Sequence, residues 1–356
     1  MVKNGTYPRV SVIILNWNGW DDTLECLESL YRINYPKYDV VLVDNNSTDD
    51  SIHEIKNYCR GQLEIESKYF EFKKQNKPIK IIEFVEEELK SITPQDYSIR
   101  AKDASNKILN LIRNQDNYGF AKGNNTGIDY ALNFLNPDYV LLLNNDTVVD
   151  PDFMLELVLT GESSDKIGFI GAKTYLYNKG NVMQAAGGGD IDFKHGVVNE
   201  LASNMEDNGD YDIYMEIRYV GGACLMCKRD VIDIIGTLEN NFFMYWEDVY
   251  WCLKGFTYGY KSVYSYKSKI WHKYGSSSES YFKIYYLNRN RIYTIKEYAT
   301  RNEYIYFLIY FFLYRFWYEC LNYLLNQRNL KRFKCLIKGA YDGLRGPQKK
   351  FKIINK

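Results

Sequence analysis

Three short stretches carry residue types from which chemistry could be built. Asn144-Asn145-Asp146 follows the apolar run Tyr139-Val-Leu-Leu-Leu143 and leads to a turn closed by Pro151. Asp146 is a hard oxygen donor, suited to a Mg2+ or Mn2+ ion that carries phosphates. Glu247-Asp248 stands in an aromatic setting, Phe242-Phe-Met-Tyr-Trp246 on one side and Tyr250-Trp251 on the other. Adjacent carboxylates there are costly unless paired or used. Burial beside Trp246 would raise a carboxyl pKa toward the range of a general base. The same pair would equally serve as the acidic first turn of a helix. The third stretch, Ile270-Trp-His272-Lys273, holds one of only three histidines; alone, it reads as structural.

These residues need elements to hold them. A wholly apolar strand such as 140–143 fits a parallel sheet covered by helices on both faces, and ligands of such sheets gather at the carboxyl ends of the strands. Val10–Leu15 reads the same way and ends in Asn16-Trp17-Asn18-Gly19; Asp39–Val43 ends in Asp44-Asn45-Asn46-Ser47-Thr48-Asp49. Between them Leu24, Leu27, Leu30 and Ile33 recur at helical spacing, with Asp21 or Asp22 able to cap that helix. Ser47 is the expected cap of a second helix through about Tyr58. Strand, helix, strand, helix predicts a right-handed parallel β-α-β layout. Pro78–Phe84 and Ile108–Ile112 continue the sheet, with surface insertions at about 60–76 and 86–106.

Asn117-Tyr-Gly119-Phe-Ala-Lys-Gly123-Asn124-Asn125-Thr-Gly127 reads as a loop feeding a helix that runs to about Leu135. Its glycines share one face, and the free N–H groups at its start favour a phosphate; the same glycines would equally let the helix pack closely on a strand. A helix near 152–160 and strands at Ile167–Ala172 and Tyr219–Met226 follow, and Gly187-Gly-Gly189 opens a loop-rich section to about Asp212.

Composition narrows the field. The first turn has neither G-x-G-x-x-G nor G-x-x-x-x-G-K-[ST], which argues against a dinucleotide fold or an ATPase. With 45 Lys plus Arg against 45 Asp plus Glu, the chain lacks the basic excess of a nucleic-acid partner. Seven scattered cysteines and no secretory signal read as reduced thiols in the cytoplasm. Cys224-Leu-Met-Cys227 lacks a second pair and reads as strand core. The aromatic run Tyr304–Tyr314 is shorter than the roughly 20 residues that span a bilayer. Beyond it, residues 315–356 hold 11 Lys or Arg against Glu319 and Asp342. That pairing suits peripheral contact of 304–356 with an anionic membrane on its inner face, and equally a homodimer interface or a cap on the main domain.

Five segments in order, Val12-Ile-Ile-Leu-Asn-Trp-Asn-Gly19, Val43-Asp-Asn-Asn-Ser-Thr-Asp49, Asn117 to Asn125, Leu143-Asn-Asn-Asp-Thr147 and Trp246-Glu-Asp248 with His272 beyond, resemble the inverting nucleotide-sugar-dependent glycosyltransferases of family 2, with the GT-A fold. Within it the likeness is to rhamnosyltransferase-like members. The resemblance covers roughly residues 8–290. It implies an α/β fold with a mostly parallel central sheet flanked by helices: a Rossmann-like nucleotide-binding half over about 8–150 and an acceptor half over about 151–290, in one domain of residues 1–290, followed by a helical aromatic and basic extension, 291–356.

What the resemblance implies for single residues follows. Asp44 matches the acidic contact to the nucleobase, with Asn46 in its turn and Asn16, Trp17 and Asn18 in the loop beside it. Asn117, Gly119, Gly123 and Asn124 match the lining of the nucleotide. Asn144, Asn145 and Asp146 stand where the family has D-x-D, so Asp146 is the charged ligand of a Mg2+ or Mn2+ ion, and His272 matches a histidine completing the metal shell. Asp248 matches the catalytic base, beside Glu247, and Tyr250 replaces an aspartate often found in relatives. The implied reaction is metal-dependent transfer of a hexose from a dTDP-rhamnose-like or UDP-sugar donor to a glycan or lipid-linked acceptor, as in polysaccharide synthesis. A non-catalytic nucleotide- or glycan-binding or scaffolding member of the same fold is the alternative. A sugar-phosphate nucleotidyltransferase would need a glycine-rich basic loop after the first strand, which Asn16–Gly19 does not supply.

Overall fold

The apolar runs at 10–15, 39–43 and 139–143 lie side by side at the centre of one sheet. The computed structural model describes residues 6–101, 107–273 and 281–346. Its first half runs β1 (Val10–Asn16), α1 (Trp20–Leu30), β2 (Tyr38–Asp44), α2 (Ser51–Arg60), β3 (Lys80–Val85), α3 (Pro94–Ala101), β4 (Ile108–Arg113), α4 (Gly119–Tyr130) and β5 (Tyr139–Asn144). Then come β6 (Thr147–Val149), α5 (Phe153–Glu162), β7 (Ile167–Leu176), β8 (Met183–Ala186), β9 (Gly188–Asp192), β10 (Val197–Glu200), β11 (Met215–Ile217), β12 (Tyr219–Val220) and β13 (Cys224–Lys228). The chain continues through α6 (Arg229–Ile235), α7 (Glu247–Thr257), β14 (Lys261–His272), α8 (Tyr281–Tyr298), α9 (Arg301–Tyr310), α10 (Phe316–Leu321) and α11 (Leu330–Arg345).

The main sheet has the order β11-β14-β7-β13-β5-β1-β2-β4-β3, with β6 beside β14 and β8 beside β7. From β3 to β5 neighbours are parallel; β13 then inserts antiparallel between β5 and β7. Alternate side chains serve two cores. Val12, Ile14, Leu141 and Leu143 pack with Leu24 and Leu27 on one face, and Ile13, Val43 and Leu142 pack with Ile128 on the other. This double burial is why the strands are apolar throughout rather than alternating.

Several expectations are corrected. Helix α1 begins at Trp20 with Gly19 as its cap residue, so Asp21 and Asp22 fall in the first turn, where their charge meets the helix dipole. Helix α2 begins at Ser51, not after Ser47; Ser47 Oγ instead accepts from Asn16 Nδ2 and the Asn18 N–H. The glycines at 187–189 do not open a loop. They enter a three-stranded antiparallel sheet, β10-β9-β12, and a Cβ at Gly189 would lie 1.9 Å from Asn199 O, so glycine is what lets the backbones approach. The expected strand 219–226 is two strands, broken at Gly221–Ala223.

The boundary expected at 290/291 falls inside α8, which packs against α11 where Gly339 and Gly343 meet the backbone of Tyr285 and Arg289. The expected basic end of the extension, 347–356, and Tyr274–Ser278 after His272 lie outside the described residues.

Candidate active site

The parallel register sets Asn16 opposite Asp44 and Leu15 opposite Asn144, so three polar residues meet at one end of the sheet. The antiparallel strand β13 brings a second group there. Asn144 N–H donates to Ala223 O (3.0 Å), and next to it Gly222 N–H donates to Asp248 Oδ2 (2.9 Å). The stretch 144–146 and Asp248 therefore share one mouth of the sheet.

On the first side, β6 returns along the end of β14 and pairs Thr147 with His272. His272 Nε2 comes to 3.0 Å from Asp146 Oδ1. The other ring nitrogen, Nδ1, lies 2.7 Å from Gln184 Oε1 on β8. An amide oxygen only accepts, so Nδ1 donates to Gln184, and Nε2 is left facing the Asp146 carboxylate. Burial pushes the Asp146 carboxyl up, but the hydrogen bond and charge of His272 and the charge of Lys273 outweigh it and hold it below the ordinary value. Lys273 also pins α1 to this corner through Asp22 (2.5 Å) and Glu25 (2.7 Å).

An imidazole nitrogen and a carboxylate oxygen side by side, with the ring oriented by a carbonyl, fit a divalent transition ion. No cluster of three His, Cys, Asp or Glu that could hold a metal occurs among the described residues. The remaining coordination positions of such an ion would fall to substrate oxygens and water, as is usual where an ion carries phosphates.

On the second side, α7 opens with Glu247-Asp248 immediately after two left-handed non-glycine residues, Tyr245 (φ 69°) and Trp246 (φ 70°). Such strain persists only when surroundings over-determine it, and it gathers at functional sites. Here Asn290, buried in α8, donates to Met244 O (2.9 Å) and Tyr245 O (2.7 Å), while Arg289 donates to Asn241 O (2.6 Å). The Asp248 carboxylate accepts from two backbone amides, Gly222 on Oδ2 and Val249 on Oδ1 (2.8 Å). Burial raises its pKa, opposed by those amides. Glu247 is buried, its Oε2 has no hydrogen-bond partner, and burial followed by the charge of Asp248 pushes it well above the ordinary value. The two carboxyls thus differ in environment: Glu247 is pushed up with no partner on Oε2, whereas Asp248 is held by two backbone amides. Tyr250, where relatives often have aspartate, stacks on Tyr293 (ring centroids 5.7 Å) and locks α7 onto α8.

The residues expected on the nucleotide side divide into holders and presenters. Asn16 Nδ2 donates to Asp44 Oδ1 (2.9 Å), and both are buried. Asn18 Oδ1 accepts from Thr48 N–H (2.7 Å), tying the two turns together. Trp17 is 54% exposed, and Asn46 is exposed in a left-handed turn (φ 62°). Asn117 Oδ1 accepts from Gly119 N–H (2.9 Å). Gly119 has φ +75°, and a Cβ there would lie 2.3 Å from Phe243 O; Phe120 N–H donates to that same carbonyl (2.6 Å). The 117–120 turn thus buttresses the loop that leads to Asp248. Gly123 lets α4 approach Leu15 of β1, and Asn124 is buried with its amide donating to Phe120 O (2.9 Å). Asn145 donates to Thr23 Oγ1 (3.0 Å).

Sequence reasoning missed five residues. Gln184 orients His272. Asn45 joins Asn114, Asn117, Tyr118 and Gly119. Gly222 and Asn290 hold Asp248 and its loop. Glu200, at the exposed end of β10, has its carboxyl raised by partial burial and by the charge of Asp248, partly offset by His272 and a bond to Gln184. Signals existed for two of them: the Gly221-Gly222 doublet inside a strand pattern, and the polar run Asn288-Arg-Asn-Arg291 in an aromatic helix.

The fold and this two-sided mouth define a class: the chain has the GT-A glycosyltransferase fold. A mannosyltransferase from Pyrobaculum calidifontis in complex with GDP-Man and Mn2+ superposes with a TM-score of 0.53 at 14% identity, over 96% of this chain and 88% of that one. TarS residues 1–349 of S. aureus in complex with UDP-GlcNAc gives 0.52 at 14% identity, over 96% and 82%.

The model "Glycosyl transferase family 2" matches residues 11–85, and "Glycosyltransferase like family 2" matches residues 74–294, more than half of the chain. The chain belongs to glycosyltransferase family 2. Among curated proteins it is 27% identical over 148 residues, 41% of this chain, to the low-salt glycan biosynthesis hexosyltransferase Agl10 of Haloferax volcanii. It spans 46% of that relative's length.

Proposed function

We propose that the chain transfers a hexose from a nucleoside-diphosphate sugar to an acceptor hydroxyl with inversion, Asp248 serving as the base. One observation carries the reading: an amide-held carboxylate at Asp248 and a carboxylate–imidazole pair at Asp146 and His272 open on the same mouth. In a single displacement the acceptor oxygen attacks the anomeric carbon while the bond from that carbon to the diphosphate oxygen breaks. The electron pair leaves with the nucleoside diphosphate, and the hydroxyl proton passes to Asp248. Asp248, held by two backbone amides beside the buried Glu247, is the group placed to accept that proton.

Asp146 and His272 are the residues that would hold a Mg2+ or Mn2+ ion, which when bound neutralises charge on the departing diphosphate. The mannosyltransferase complex, which contains Mn2+, supports this assignment. Asp44, Asn16 and the 117–119 turn form the nucleobase end, and Asn144 and Asn145 flank the diphosphate. A dTDP- or UDP-sugar donor and a glycan or lipid-linked acceptor, in cell-surface polysaccharide or glycolipid synthesis, complete the assignment; the likeness to Agl10, a hexosyltransferase of glycan biosynthesis, supports the hexose and the glycan product.

The test is the anomeric configuration of the first product, read by NMR during turnover with a panel of nucleotide sugars in Mn2+. The product should have the configuration opposite to the donor's; retention would remove the single-displacement reading.

A further inference from the structure

From Arg301 to Asn326 the chain forms one continuous helical rod, α9 and α10 joined and extended by wide π turns at Phe311–Arg315 and Asn322–Asn326. One side of the rod is core: Phe307 and Phe311 are fully buried. The other side carries Ile305, Ile309, Leu313, Trp317, Leu321 and Leu325, each four residues from the last and each exposed. In a straight α-helix, with 3.6 residues per turn, positions four apart drift around the axis; the two π turns, with their i→i+5 bonding, take up the extra residue and hold the stripe on one face. Tyr318 (73% exposed) and Trp317 (57%) stand on this surface. An apolar stripe of this length on a globular protein marks an interaction surface.

We propose that this face docks the protein on an anionic lipid bilayer. The choice of occupant rests on charge and on residue type. The rod turns at 327–329 into α11, which presents Leu330, Ile337 and Tyr341 outward together with the exposed Lys331, Lys334, Lys338 and Arg345. An apolar and aromatic face edged by lysine and arginine is the pattern of a helix lying in a membrane interface, with Trp and Tyr at headgroup depth. Two copies joined through the same face would bring these cations toward one another, whereas a bilayer bearing anionic headgroups neutralises them. Among the described residues no helix is long and apolar enough to cross a membrane, so the rod lies on the surface.

The surface is tied to the mouth of the sheet. His195, in the turn between β9 and β10, sets its ring edge against Tyr306 and Tyr310 (centroids 5.6 and 4.7 Å). Gly196 lies under Phe307, and β10 ends at Glu200, whose carboxyl bonds Gln184, the partner of His272. Docking would therefore set the hairpin that borders the His272 corner near the lipid surface. The proposal itself rests on exposure and charge and stands whether or not the chain transfers sugar.

The test is sedimentation of the full chain with vesicles of phosphatidylcholine alone and of phosphatidylcholine with phosphatidylglycerol, at low and high salt. The protein should pellet with the anionic vesicles, release at high salt and ignore the neutral ones. Trp317→Ser/Leu321→Ser/Leu325→Ser and, separately, Lys331→Glu/Lys334→Glu should each lower the partition coefficient more than about tenfold. Both should keep the wild-type melting temperature, because the replaced side chains face outward. No binding to anionic vesicles, or equal binding to both kinds, would overturn the proposal. So would a dimer in sedimentation velocity that the triple serine variant dissociates.

Discussion

His272 Nε2 sits 3.0 Å from Asp146 Oδ1, and the two meet only because β6 folds back along the end of β14. Neither residue is a convincing metal ligand by itself. Their juxtaposition, with Nδ1 of the same ring held by Gln184, supplies a nitrogen donor and an oxygen donor already oriented. Chelation with EDTA is accordingly expected to abolish nucleotide-sugar binding measured by calorimetry, and Mn2+ to restore it. Unchanged affinity after chelation would count against a metal at this pair.

Gln184 gives a finer test of the same corner. Gln184→Leu removes the acceptor for Nδ1–H while leaving Asp146 and His272 in place. Loss of such an orienting partner typically weakens metal affinity by about 10- to 100-fold. The prediction is a rise of that size in the Mn2+ concentration needed for half-maximal donor binding, with saturating Mn2+ recovering most of it.

Glu247 predicts a pH dependence with a definite sign. Burial, and then the charge of Asp248, push its carboxyl well above the ordinary value of 4.5. Above that value the unfolded chain has lost the proton that the folded chain keeps, so stability is greatest below it and declines as pH rises toward the folded pKa, by about 1.4 kcal/mol per pH unit for this one group. Asp248, also raised, adds to the decline. Glu247→Gln mimics the protonated form. Urea unfolding between pH 5 and 8 should show a flatter profile and higher stability at the alkaline end, with transfer activity within a few-fold of wild type. An unchanged slope would mean that Glu247 is ionised in the fold.

Asn290 tests whether the strained loop is held from α8. Asn290→Ala removes the two bonds to the part-buried carbonyls of Met244 and Tyr245, a cost of about 0.5–1.5 kcal/mol each. Because Tyr245 and Trp246 have positive φ, relaxation of the loop would move Asp248. The expected result is a fall in kcat larger than any change in donor affinity. Equal losses in both would point to general unfolding instead.

Much of the first half was legible in the sequence because apolar runs of strand length, each ending in Asn or Asp, have few other homes than a sheet covered on both faces. Asp44, Asp146, Asp248 and His272 were legible as types, but only the family resemblance, not any local pattern, grouped them. His272 reaches Asp146 through a strand pairing that no local pattern announces. Gly187–Gly189 reads as loop because glycine's freedom and its lack of bulk leave the same mark; only the opposing carbonyl of Asn199 shows which is in use. The caps at Asp21, Asp22 and Ser47 were misplaced because the hydroxyl and carboxylates there have tertiary duties: Ser47 ties the first and second turns, and Asp22 pairs with Lys273. Asn290 stayed hidden because a buried amide serving carbonyls 45 and 46 residues away leaves no periodic trace.

The central claim is that the carboxylate held by Gly222 and Val249 removes the proton of the incoming hydroxyl. The most direct measurement is Asp248→Asn, assayed for donor binding by calorimetry and for transfer under single-turnover conditions. The account predicts wild-type affinity for the nucleotide sugar in Mn2+, with transfer slower by roughly 10²- to 10⁴-fold. Turnover near the wild-type rate with binding intact would contradict it.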